Sequence, residues 1–479
     1  MKIPLDLPLL DVIKSYKFID FAYIKKKIKE KKKENISELY FEIGNFFLNT
    51  FNPTLAIYFL RKSLEIKFTD ICFTTILQTI SLFSDEKKIP ERKMIDAMSS
   101  VIKYKYKNEY KFKKLKKKNK YNVGFISHFF DSSTSELLIK NLIINLGETF
   151  NYYFYSDQKK ETITEKVSKL KNFKSVDYLN DDELSELIKK DDIDVLIECN
   201  GWTLPNRFGV LERRVAPIQA TYYNIASTSG INNCDCIILS TDNITNKIEN
   251  YISEKIYKFE NGIIPYSNSL DTKININPFE KNDEIIFCCF GASHKLNLNI
   301  LEIWSEILKR TKNTKILIKN NSLNILDYRT AYKKILSNFF NMERVILEGP
   351  SEYKQLLENY NKCHINLDTY PHVSGTTASD ATYMGVPTIT WVGQRICSQN
   401  INIMSFKDEN LIAYSKEEYI NKAIKLSKNK KLIKQYKRDL RQKILNRQDP
   451  KLITKNFENG LKGLIKDQLK TSEKLNNHK

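Results

Sequence analysis

The residues best equipped for chemistry lie between Cys363 and Val392, CHINLDTYPHVSGTTASDATYMGVPTITWV. Cys363-His364-Ile365-Asn366-Leu367 reads as a short apolar strand and Asp368 to Ser374 as a loop. Gly375-Thr376-Thr377 opens a helix that ends at Met384-Gly385, and Val386 to Trp391 is the next strand. A helix entry leaves backbone N–H groups without intrahelical partners, and two Thr hydroxyls add donors at the same point. Such a point suits a phosphate. Asp380, one helical turn on, is an acceptor within reach of a ribose hydroxyl. The same residues also fit an ordinary capped helix whose Thr and Asp side chains satisfy its own amides.

A strand–loop–helix–strand unit needs a parallel sheet to position it. Strands and helices alternate from Tyr121 onward, with apolar runs at Asn122–Ser127, Tyr152–Tyr155, Val195–Glu198, Cys236–Leu239 and Lys255–Phe259. A second series runs through Ile285–Phe290, Lys315–Ile318, Arg344–Leu347 and the segment above. Two series joined near residues 260–282 predict two Rossmann-like lobes facing a cleft. Ligands bind at the carboxyl ends of such strands, which is where Lys295 falls, after the strand ending at Phe290. Residues 1–118 are helical by their apolar spacing. Within them Glu38–Lys67 resembles a tetratricopeptide unit, with Tyr40, Ile43, Gly44, Phe47, Ala56, Leu60 and Ser63 at its apolar and small positions and Asn52-Pro53 at its turn. One such unit cannot bury its own face, so it must pack on further helices or on the α/β region. The expected segments are 1–118 (helical), 119–270 and 271–415 (the two lobes), and 416–479 (Lys-rich helices that brace them).

Four ordered blocks resemble the protein O-GlcNAc transferase family, glycosyltransferase family 41, which includes Spindly-type plant and bacterial members. They are Val123–Ser127; Ala216-Pro217-Ile218-Gln219-Ala220 with Thr228-Ser229-Gly230 and Asp235; Phe290 to Lys295 with Trp304; and Leu367-Asp368, Thr376-Thr377, Asp380 and Gly385-Val386-Pro387. The likeness runs from about Asn122 to the C-terminus. It implies the two-lobed GT-B fold, with Lys295 on the donor's diphosphate, Gly375, Thr376 and Thr377 on phosphate oxygens, and Asp380 on the ribose. The loop of Ser351 meets the base, and Asn200 completes the donor-binding set. The chain also departs from the family. Places where relatives carry His hold Ser133, Trp202 (after Gly201), Leu356 and Gly375, and Ala292 replaces a Gln. The general base is therefore unassigned, with His128 and Asp131 as weak candidates, and His128 and His372 are off the matching positions.

Composition narrows the rest. The chain has 479 residues with 77 Lys+Arg against 57 Asp+Glu, a net charge of +20. The excess is mostly Lys in a chain rich in Asn and Ile, the bias of AT-rich coding. No motif interleaves aromatics with these lysines as a nucleic-acid binder requires. The eight cysteines lack zinc-site spacing and read as reduced core residues. No signal peptide and no membrane span is expected, so a soluble cytoplasmic protein is anticipated. The resemblance implies an inverting, metal-independent glycosyltransferase needing no cofactor. It would move a sugar, first of all N-acetylglucosamine from UDP-GlcNAc, to Ser or Thr of a protein acceptor. The alternative is a catalytically degenerate relative acting as a binding or regulatory module.

Overall fold

The computed structural model describes residues 23–24, 26–27, 35–80, 82, 99–100, 102–103, 114–131, 136–222, 227–241, 248–260, 262, 264–268, 270–279, 283–399 and 407–477. Ser133 and the start of the basic run at 111–120 lie outside them. The chain divides into two compact units, Arg92–Asn268 with Leu445–Lys479, and Met1–Glu91 with Ser269–Ile444. The sequence segments 1–118 and 416–479 are thus each shared between both units.

The first unit is built on seven parallel strands: β1 (Asn122–Ser127), β2 (Asn151–Ser156), β3 (Phe173–Ser175), β4 (Val195–Glu198), β5 (Ile218–Thr221), β6 (Cys236–Ser240) and β7 (Lys255–Phe259). Their order across the sheet is β3-β2-β1-β4-β5-β6-β7. Strands buried on both faces need continuous apolar runs, and Val123, Phe125, Val195, Ile197 and Ile218 supply them. The helix Pro450–Asn477 adds Phe457, Leu461, Leu464 and Ile465 to this core. Glu458 fastens it by accepting from Gly147 N at 3.0 Å and from the Tyr152 hydroxyl at 2.6 Å.

The second unit carries six parallel strands: β8 (Ile285–Cys289), β9 (Thr314–Lys319), β10 (Val345–Glu348), β11 (Ile365–Leu367), β12 (Thr388–Trp391) and β13 (Ile412–Ala413), in the order β10-β9-β8-β11-β12-β13. Gly385, at φ +69, is required where the helix Thr376–Tyr383 turns into β12. A Cβ there would meet the Lys437 backbone at 2.8 Å, closer than real carbon contacts allow.

The tetratricopeptide-like segment forms the expected hairpin, Ile36–Asn49 and Pro53–Ile66. Asn52 caps the second helix through Leu55 N at 3.2 Å, and Gly44 lets Leu60 approach where a Cβ would lie 2.7 Å from it. The hairpin does both things its apolar face demands. It packs on a third helix, Asp70–Ile80, whose Cys72 thiol donates to the Leu60 carbonyl at 3.2 Å. It also joins the core of the second sheet. Phe51, fully buried, lies 4.3 Å from the Tyr332 ring, and its carbonyl accepts from Leu298 N at 3.2 Å. Phe51→Ala is therefore expected to destabilise the second unit by about 3–5 kcal/mol, the cost of deleting a buried aromatic ring. Alanine keeps the same left-handed backbone (φ 70), so the loss reports packing. A loss below about 1 kcal/mol in urea unfolding would show that the hairpin is only appended.

Candidate active site

In each sheet the strand order reverses once, between β1 and β4 in the first and between β8 and β11 in the second. Crossovers on either side of such a point leave a crevice at the carboxyl ends of the two strands, where ligands bind in open α/β sheets. The candidate residues flank these points. His128 and Asp131 follow β1 and Asn200 follows β4; Lys295 follows β8, and the loop 368–374 with the helix start at Thr376 follows β11.

Asp368 organises the second crevice. Its carboxylate is fully buried, with Oδ1 accepting from Thr369 N at 2.9 Å and Ser374 N at 2.7 Å, and Oδ2 from the Thr390 hydroxyl at 2.7 Å. The loop is thereby closed on itself and pinned to β12. Trp304 Nε1 donates to the Tyr419 hydroxyl at 3.2 Å, which donates to the Asp368 carbonyl at 2.8 Å. Asn297 Nδ2 holds the Tyr370 carbonyl at 2.8 Å. Lys295 is fastened to this loop, its Nζ donating to the Val373 carbonyl at 2.9 Å. Burial pushes the Lys295 ammonium below the ordinary lysine range, and the Asp368 carboxylate opposes that shift.

The helix Thr376–Tyr383 starts from Gly375 without a side-chain cap. A Cβ on Gly375 would meet nothing within 4 Å, so the helix start opens on free space. Among the described residues nothing hydrogen-bonds the Thr376 or Thr377 hydroxyl. An open helix start without a side-chain cap is a place where an anion can bind. Asp380 is placed differently from a surface acceptor. It is fully buried, and its Oδ1 accepts from the Tyr353 hydroxyl at 2.8 Å. Ser351 follows β10, and its buried hydroxyl oxygen has no hydrogen-bond partner.

At the first crevice Asn200, fully buried, ties β4 to β1. Its Oδ1 accepts from His128 N at 2.8 Å and its Nδ2 donates to the Pro205 carbonyl at 2.8 Å. That amide is spent on loop architecture. The His128 Nδ1 lies 3.1 Å from the Asp157 carbonyl. Asp131 is occupied as well, since one oxygen pairs with Lys140 and the other accepts from Thr164 N. Glu198 accepts from Asn200 N at 3.1 Å and Gly201 N at 3.0 Å, and complete burial pushes its carboxyl up to about 8. Trp202 donates to the Thr228 carbonyl at 2.9 Å, a packing role. Among the described residues no three His, Cys, Asp or Glu side chains gather as a metal site.

Sequence reasoning passed over three residues at the second crevice. Asp368 was read as part of a motif, not as the loop's organiser. His294, the neighbour of Lys295, drew no attention, and Arg395 comes from a distant loop to face His372.

The profile of glycosyl transferase family 41 matches residues 84–262 and 277–457. The chain belongs to glycosyltransferase family 41. Its similarity to curated plant family members is distant. It is 24% identical over 318 residues to a probable UDP-N-acetylglucosamine–peptide N-acetylglucosaminyltransferase SPINDLY of Solanum lycopersicum, covering 64% of this chain and 34% of that protein. It is 25% identical over 312 residues to the SEC protein of the same description from Arabidopsis thaliana, covering 61% of this chain and 31% of that one. The chain thus spans about a third of the length of these relatives. A single-substitution variant of the O-GlcNAc transferase of Thermobaculum terrenum superposes with a TM-score of 0.83 at 18% identity, over 97% of this chain and 91% of that one. That likeness establishes the fold, two parallel-sheet Rossmann-like lobes of the GT-B class with a helical N-terminal region. Among the described residues no helix is long and apolar enough to cross a membrane.

Within this family member Asp368 is the test of the site's construction. Asp368→Ala leaves two buried N–H donors without an acceptor, at about 1–3 kcal/mol each. Urea unfolding should show a loss of that order in the second unit, with nucleotide binding abolished. Stability within 0.5 kcal/mol of the parent, roughly what a neutral surface change gives, would show that the loop holds without it.

Proposed function

We propose that the chain is an inverting, metal-independent glycosyltransferase that moves a sugar from a nucleotide donor to a Ser or Thr hydroxyl of a protein. UDP-GlcNAc is the first donor to try, after the activity named for the SPINDLY and SEC relatives. The observation that carries this reading is the uncapped helix start at Thr376 and Thr377 beside the loop that fastens Lys295. Breaking the sugar–phosphate bond leaves charge on a nucleoside diphosphate, and that charge is larger in the transition state than in the bound donor. Helix-end amides and two hydroxyls at the helix start, with one ammonium beside them, would stabilise it. Lys295 must let go of the Val373 carbonyl, or share its protons, to reach a phosphate oxygen. Asp380 serves the ribose if Tyr353 yields its hydrogen bond. The Ser351 hydroxyl, buried without a partner, is available to the nucleoside.

A specific observation favours a second reading, a binding module without turnover. The places for the family's histidines hold Trp202, Leu356 and Gly375, and the Asp131 carboxylate is already bonded on both oxygens. Two measurements on one preparation separate the readings. UDP-GlcNAc at a hundred times its dissociation constant should stabilise the protein by about 2.7 kcal/mol, a readable shift in Tm. Under the first reading sugar transfer to protein follows and survives chelation with EDTA, and Lys295→Ala lowers turnover by roughly 10²–10³ with a smaller loss of donor affinity. Donor binding without turnover, identical in the Lys295→Ala variant, would establish the second reading. No shift with any UDP, GDP or dTDP sugar would end both.

A further inference from the structure

Two imidazoles stand beside the diphosphate candidates. His294 precedes Lys295 on the short turn Ser293–Lys295. His372 lies in the loop held by Asp368, next to Val373, whose carbonyl accepts from Lys295. The rings meet edge to face with centroids 6.3 Å apart. Both side chains are half-buried, and among the described residues no hydrogen bond occupies the His294 ring. Among the described residues the charged groups around them are few. Lys295 faces both rings and Arg395 faces His372. The Asp368 carboxylate and the Cys289 and Cys397 thiols act on Lys295. The hairpin packed against this turn contributes the neutral side chain of Asn49, whose Oδ1 accepts from the Ser293 hydroxyl at 2.5 Å.

Both histidines are uncharged in the free protein at neutral pH. Burial and the Lys295 ammonium push His294 down to about 4, and burial with Lys295, His294 and Arg395 pushes His372 well below the ordinary range. Two cations, Lys295 and Arg395, act on this neutral pair. We propose that His294 and His372 are a proton-gathering clamp for the donor's diphosphate, neutral in the empty site and protonated in the complex. This rests on the donor-site reading above and deepens it. An opposite charge within 4–6 Å raises a histidine's pKa by roughly 1–3 units. Each proton gained adds a positive charge to a site that has Ala292 and Gly375 where relatives place polar side chains. Linkage is reciprocal: if the diphosphate raises the affinity for protons, protons raise the affinity for the diphosphate.

The sign follows. In the free protein these histidines stay neutral down to about pH 4 for His294, and in the complex they charge at a higher pH. Between those two values donor affinity should rise as pH falls, by up to about tenfold per pH unit for each proton taken up. Isothermal calorimetry of UDP-GlcNAc and UDP-glucose across pH 5.5–8, in buffers of different ionisation enthalpy, reads this directly. The diphosphate of a nucleotide sugar keeps its charge over that range, so any proton taken up comes to the protein. The expected result is net proton uptake growing toward pH 5.5, with affinity rising in step. In the folded His294→Gln/His372→Gln double variant the uptake should vanish, while affinity at pH 8 stays within about twofold. A pH-independent affinity without proton uptake in the parent, or undiminished uptake in the double variant, overturns the clamp while leaving the donor site standing. Failure of both sugars to bind at every pH overturns the donor site and the clamp together.

Discussion

The loop after β11 hangs on one buried carboxylate. Asp368 sits at the end of β11 with no exposure to water and is satisfied by two backbone N–H groups and a hydroxyl. A buried charge is tolerated only when it is hydrogen-bonded and faces opposite charge, and the neighbouring Lys295 ammonium supplies the latter. Once the carboxylate is fixed, the loop of residues 368–374 can take few shapes. Its far end delivers Gly375 to the helix start, and its Val373 carbonyl holds Lys295. The cation and the helix amides are thus placed by one set of bonds, so they can act together on one anion.

The helical hairpin enters the same construction. Ser293, on the turn that bears His294 and Lys295, donates to Asn49 and accepts from the Ser322 hydroxyl at 2.8 Å. Phe51 meanwhile fills the core under the second sheet. The tetratricopeptide-like segment is therefore a wall of the second unit's core. Removing it would open that core, and a truncated chain would report on folding before it reported on acceptor choice. Substitutions on exposed positions such as Tyr58 and Ile66 leave the wall intact and ask the recognition question cleanly.

Much of this was legible in the residues themselves. Ten of the strands were visible as apolar runs, and the helix after Gly375 was marked by Gly-Thr-Thr at its entry and Met384-Gly385 at its end. β3, β5 and β13 were not separated as strands. β3 has three residues, one of them Lys174, β5 carries the polar Gln219, and β13 is two residues long, too short for periodicity to register. The candidate site was legible where residue type and local spacing coincide, at Lys295 and at Thr376-Thr377. It was not legible where partners meet through the sheet. His294 and His372 are distant in sequence and come together because β8 and β11 are neighbours. The Asp131–Lys140 pair and the Tyr353 bond to Asp380 changed the character of two candidate carboxylates for the same reason: a side chain's partners are a tertiary fact.

The proposed donor's diphosphate would be served by one anion site, built by the Asp368 loop. A crystal structure with a bound nucleotide sugar tests it most directly. Diphosphate oxygens are expected within hydrogen-bond distance of the Thr376 and Thr377 amides and hydroxyls and of Lys295 Nζ, with the Asp368 bonds unchanged. A nucleotide sugar seated elsewhere on the protein, with the helix start at Thr376 vacant, would contradict it.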